Sequence, residues 1–236
     1  MADARTADSP ADSTADSTAD STAEVVATST ADLTVSGGAV AIAAPVPVVR
    51  RSAATDLALV ATFAAFIVVC GVLPDIAGPS GVPFTLQTFG VVLAGLVLGA
   101  RRGALSVLLY LAVGAAGVPV FAGHKGGLAI LVGPTGGYLV GFVAGAVAAG
   151  ALAGLALRRA GWRRAALVAV AALVASPVVI DVFGIAGLMW RAGMSLDVAW
   201  TANLAFVPGD VVKSLLAAAV ALVVFRAYPS LLRSRR

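Results

Sequence analysis

The sequence predicts an all-α membrane protein with six transmembrane helices behind a disordered N-terminal tail. Three observations predict it. Sixty per cent of the 236 residues are hydrophobic and the mean hydropathy is +0.99, against roughly 45–50% apolar residues in soluble domains. The apolar residues come in long uncharged blocks, which suit a bilayer better than one large soluble core. The arginines cluster at alternate boundaries of those blocks, as topology determinants do.

The tail comprises residues 1–50 and the membrane domain residues 51–236. The first fifty residues hold seven acids and two bases, and "ADSTADSTADST" (11–22) repeats small polar residues that bury almost nothing. The tail lacks the basic and apolar regions of a signal peptide. Residues 51–236 carry fourteen bases against five acids. Their short clusters between apolar runs favour topology determinants over a nucleic-acid-binding face. Cys70, the one cysteine, allows no intrachain disulfide.

The first span is "LALVATFAAFIVVCGVL" (57–73). The second covers about 82–100 and the third 103–118, parted by Arg101 and Arg102. The fourth lies in the uncharged stretch 126–157, with its helix starting near Pro134. The fifth runs from about 162 to 189 across Pro177 and Asp181, and the sixth from Pro208 to near Tyr228. Each approaches the ~20 residues a crossing needs, the third being short. With the N-terminal side called inside, twelve bases fall inside and three outside (Lys125, Arg191 and Lys213). Both termini are then cytoplasmic.

This topology gathers the unusual residues at the outer surface. "VPFTLQTF" (82–89) brings Thr85, Gln87 and Thr88 beside Phe84 and Phe89. It reads first as a solvated helix start with interfacial aromatics, slightly ahead of a binding edge. "GVPVFAGHKGGLAILVGPTGGYLVGF" (117–142) is too apolar and glycine-rich for an ordinary exposed loop. Irregular backbone at membrane depth lines a cavity. His124 is a solvated loop residue rather than a metal ligand, having no cysteine or carboxylate at ligand spacing. Gly133, Gly137, Gly141 and Gly145 recur every four residues, making a smooth face for close helix packing. Asp181 is open to a structural or a functional reading, since acids inside spans face the interior or a cavity.

"VPGDVVKS" (207–214) opens the last span with two charges. Asp210 and Lys213 are three apart and share one helix face. A mutual ion pair is the plain reading. The roughly 2.5–3.5 kcal/mol cost of a charge at the centre of a span, less near its edge, weighs toward a ligand role.

"VPFTLQTF", "RRGALSVLLYLAVGAAGVPVFAG" (101–123), "GPTGGYLVGF" (133–142) and "PGDVVK" (208–213) together resemble the BioY family over residues 55–228. These are the biotin-binding S components of energy-coupling factor (ECF) transporters. The resemblance implies the S-component fold, biotin as transported substrate, no cofactor or metal, and residence in the cell membrane. It implies as partners the transmembrane coupling subunit and two cytoplasmic ATPase subunits, besides the lipid bilayer. It assigns substrate binding to Asp210 and Lys213, and to the segment around Gly126, Gly127 and Tyr138. The chemistry of biotin adds Gln87 as a polar partner and Phe84 or Phe121 as apolar wall, while Gly137 stands where a ligand could approach the start of the fourth span. Ala61 and Ala65 have the A-x-x-x-A spacing by which such subunits dock on the coupling subunit. His124-Lys125 and the long tail depart from the family pattern.

No nucleophile–base pair and no ATPase signature occurs in the sequence, so the protein is not expected to be an enzyme. An S component for another vitamin and a stand-alone biotin facilitator are the alternatives. An intramembrane enzyme using Asp181 and Asp210 is disfavoured by their separate placement. The topology predicts that a reporter active only outside the cell stays silent when fused to the C-terminus; an active fusion would reverse the orientation.

Overall fold

The computed structural model describes residues 53–73 and 83–228. The tail, the Pro/Gly loop at 74–82 and the terminal arginines lie outside the described residues. The described residues are almost wholly helical: α1 (Ala53–Val72), α2 (Gln87–Leu98), α3 (Ala100–Ala115), α4 (Leu128–Val132), α5 (Gly136–Ala156), α6 (Gly161–Val174), a π-helical stretch (Ala175–Ile180), α7 (Asp181–Ala192), α8 (Leu196–Leu204) and α9 (Val207–Ala227).

Among the described residues, four helices are long and apolar enough to cross a membrane: α1, α5, α9 and the continuous rod from Gly161 to Ala192. The second predicted span is shorter than expected, its helix holding 12 residues, while the third has the short length expected of it, 16 residues, set three residues earlier. At about 1.5 Å per residue, the 12 residues of α2 rise about 18 Å and the 16 of α3 about 24 Å, below the ~30 Å of hydrocarbon. The chain preceding α2 is non-helical through residues 83–86 and lines a cavity, so the helix starts late. Gly117, with φ +101°, turns the chain soon after α3.

α2 and α5 are the centre of the bundle. α2 packs on α1, α3, α5 and α9, and α5 on α2, α3, α6 and α7. Ten of the twelve residues in α2 are buried, which is why its sequence is apolar on every side. Arg102 of α3 pairs with Asp56 in the first turn of α1 at 2.9 Å.

The glycine row of α5 packs as expected. A Cβ on Gly137 would strike the backbone of Phe183 and Gly187, the latter at 2.7 Å from Cα. One on Gly141 would meet Ile180 and Phe183, and one on Gly145 would meet Ile180 and Ala175. α5 therefore lies nearly backbone to backbone against α7 and the π stretch, the close approach that small residues allow. Pro177 sits inside that stretch. A proline cannot donate to an earlier carbonyl, and a widened turn accommodates the loss without breaking the helix.

Gly137→Ala is expected to lower the thermal stability of the protein in detergent by about 1–3 kcal/mol, since backbone cannot move aside. Gly154→Ala, with nothing within 4 Å of the added carbon, is expected to leave it unlowered. Equal melting temperatures for the two variants would contradict the packing described.

Candidate functional site

The chain enters α9 through Phe206, with Pro208 in the first turn where its missing N–H costs nothing. Asp210 follows one turn in and is 3% exposed. Its Oδ1 accepts from Lys213 Nζ at 2.7 Å and from Thr88 Oγ1 at 3.0 Å. Lys213 Nζ also donates to the Thr85 carbonyl at 3.0 Å. One buried pair on α9 thus holds the segment before α2 and the first turn of α2. Removing either charge would strand the other in an apolar bundle.

Gln87 faces the same space and is already engaged. Thr85 Oγ1 donates to its Oε1 at 3.1 Å. Its Nε2 donates to the Tyr110 hydroxyl, which donates in turn to the Val120 carbonyl at 3.4 Å. The amide bridges α2 to α3 and to the loop that follows. In that loop Phe121 and Lys125 pair as an isolated bridge, and the Phe121 ring stands edge-on to Tyr110 at 5.5 Å.

Further wall comes from α5 and α7, backed by Asn203 of α8. The Tyr138 hydroxyl donates to Asn203 Oδ1 at 2.8 Å. Asn203 Nδ2 donates to Asp181 Oδ2 at 3.0 Å. All three residues are buried, so this polar chain is satisfied internally, as burial demands.

Between the walls lies a cavity of about 400 Å³, within the roughly 300–1,000 Å³ range of small-molecule sites. Asp210, Lys213, Gln87 and Tyr138 line it, as do Thr88, Asp181 and Lys125. Phe121, Leu139, Phe142 and Phe206 supply apolar wall.

The other predicted site residues do not line the cavity. Phe84 stacks behind Phe206, ring centroids 4.3 Å apart, and supports the wall instead of forming it. Gly126 is pressed against the carbonyls of Gly117 and Val118. Gly127, at φ +93°, makes the turn into α4, a conformation that favours glycine. Gly137 is committed to the α7 interface. Ala61 and Ala65 are exposed on α1 and are not among the lining residues. His124 is exposed and is not among the lining residues.

Tyr110, Asn203 and Phe206 were not foreseen from sequence. Tyr110 sits in an unbroken apolar run and carries no periodic signal. Asn203 did leave one: it is the polar residue of the "ANLAF" segment, beside which an acid in the neighbouring span calls for a partner.

The BioY family model matches residues 16–230. The biotin transporter BioY of Rhizobium etli is 44% identical over 179 residues, covering 75% of this chain and 96% of that protein. The biotin transporter BioY of Rhodobacter capsulatus is 41% identical over 190 residues, covering 76% and 98%. A crystal structure of the S-component for biotin from an ECF-type ABC transporter superposes with a TM-score of 0.64 at 30% identity, over 73% of this chain and 92% of that one. With the family model spanning most of its length and two relatives matched nearly end to end, the chain belongs to the BioY family.

Proposed function

We propose that this protein is the substrate-binding S component of an ECF transporter and serves biotin uptake across the cytoplasmic membrane. The observation that carries the reading is the Asp210–Lys213 pair, carboxylate buried and ammonium partly so, in the wall of a half-open, largely apolar cavity. A purely structural ion pair has no need of a cavity beside it. The relatives and the solved S-component bear biotin in their names, and biotin fits these walls chemically.

Biotin has a ureido ring with two N–H donors and one oxygen, a thioether, an alkyl chain and a carboxylate. An ammonium has three N–H groups. Two of those on Lys213 go to Asp210 and Thr85, and the third suits the ureido oxygen. Asp210 receives its two contacts on Oδ1, which leaves Oδ2 for a ring N–H. Phe121, Leu139, Phe142 and Phe206 suit the thioether and chain. Lys125 is exposed where Lys213 is mostly buried. That contrast supports Lys125 as partner of the carboxylate and Lys213 as partner of the ring.

The protein performs no chemistry in this reading. Two ATPase subunits hydrolyse ATP in the cytoplasm, and the transmembrane coupling subunit docks on the exposed alanines of α1. Both termini of the S component are cytoplasmic.

Equilibrium binding of labelled biotin to the purified protein tests the reading, and displacement by riboflavin or thiamine would defeat it. Asp210→Asn and Lys213→Ala are each expected to weaken binding more than about tenfold, the worth of one charge-assisted hydrogen bond. Unchanged affinity in both would remove the pair from the site. Lys125→Ala is expected to weaken biotin but not biotin amide. Uptake that persists after deletion of the ATPase genes would point to a stand-alone facilitator.

A further inference from the structure

A tyrosine hydroxyl has one hydrogen, and in this protein its destination is determined by a residue two contacts away. Asn203 presents Nδ2 to the Asp181 carboxyl at 3.0 Å. The reversed amide would set its oxygen against the Asp181 oxygens, two acceptors facing one another. Nδ2 is thus held on Asp181, and Oδ1 is left to face Tyr138. The hydroxyl of Tyr138 must therefore donate to it, at 2.8 Å. Its remaining capacity is to accept. Tyr138 and Asp181 both line the cavity, so this side of the site offers acceptors.

The same polarity holds across the cavity. The Thr88 hydroxyl has spent its hydrogen on Asp210, and Asp210 itself is an acceptor. Gln87 Nε2 gives one of its two hydrogens to Tyr110. Lys213 is the one charged donor among the residues just named, with the second N–H of Gln87 as a weaker one. A wall with acceptors on two sides and a single strong donor matches a cyclic urea, which carries two N–H groups and one oxygen.

We propose that the Asp181–Asn203 pair is a positioning device that turns Tyr138 into an obligate acceptor for the second ureido N–H of the substrate, Asp210 taking the first. This rests on the reading of the cavity as a biotin site and deepens it. Asn203 touches no ligand; it acts by setting the direction of the Tyr138 hydrogen bond. Selectivity for an unsubstituted urea then comes from both sides of the cavity.

The test compares affinities of the full-length protein for biotin and for biotin methylated on one or the other ring nitrogen. The unaltered protein is expected to reject both methylated forms. In Asn203→Leu the hydroxyl is released, and in Tyr138→Phe the acceptor is gone. Each variant is expected to lose about tenfold of the discrimination against one methyl isomer while keeping that against the other. Tyr138→Phe keeps the ring packed on Phe206, whose centroid lies 6.3 Å away, so a result is available even where Asn203→Leu is unstable. A drop in affinity shared equally by biotin and both analogues, or no change at all, would overturn the proposal by leaving the network a structural role. Failure of the unaltered protein to bind biotin would overturn the biotin reading itself, a distinct outcome.

Discussion

Burying an ammonium and a carboxylate in an apolar bundle costs several kcal/mol per ion unless each finds close partners. Asp210 and Lys213 find them in one another and in Thr85 and Thr88. Those partners lie on a different part of the chain, more than a hundred residues earlier. The pair therefore sets where the non-helical segment before α2 runs and how far α2 can extend. Because α2 is the most enclosed helix of the bundle, its position carries over to α1, α3 and α5. The polar interaction and the hydrophobic packing are one constraint seen from two ends.

The second constraint is spatial. α5 approaches α7 with almost no side chain between them, which brings Tyr138 and Asp181 onto the same wall. The π stretch around Pro177 lets the 161–192 rod stay continuous while it supplies the glycine contacts and, in their midst, the acid. Stability and site geometry are thus drawn from the same few residues. An enlarged residue in the glycine row disturbs both.

Much of the bundle is legible in hydropathy, because helices facing lipid or one another read as uncharged blocks with caps and arginines between them. The same measure misjudges α2. Hydropathy records whether a residue is apolar, and not whether the backbone there is helical, so the non-helical segment before α2 merges into one apparent span with it. In the site, Asp210 and Lys213 stood out because charge is scarce, and Tyr138 because it ends a glycine cluster. Phe84 and Gly137 have the right neighbours in sequence but turn to a packing partner, a choice made by tertiary contacts. Asn203 and Tyr110 matter through hydrogen bonds to distant segments, which no local pattern records.

The anchor of Lys213 on α2's leading segment is a main-chain carbonyl, that of Thr85. Every amino acid presents that oxygen. Drift at position 85 can therefore change the shape and polarity of the pocket rim while the ammonium keeps its footing. A binding protein arranged this way separates the part of its site that evolution can retune from the part that keeps it folded.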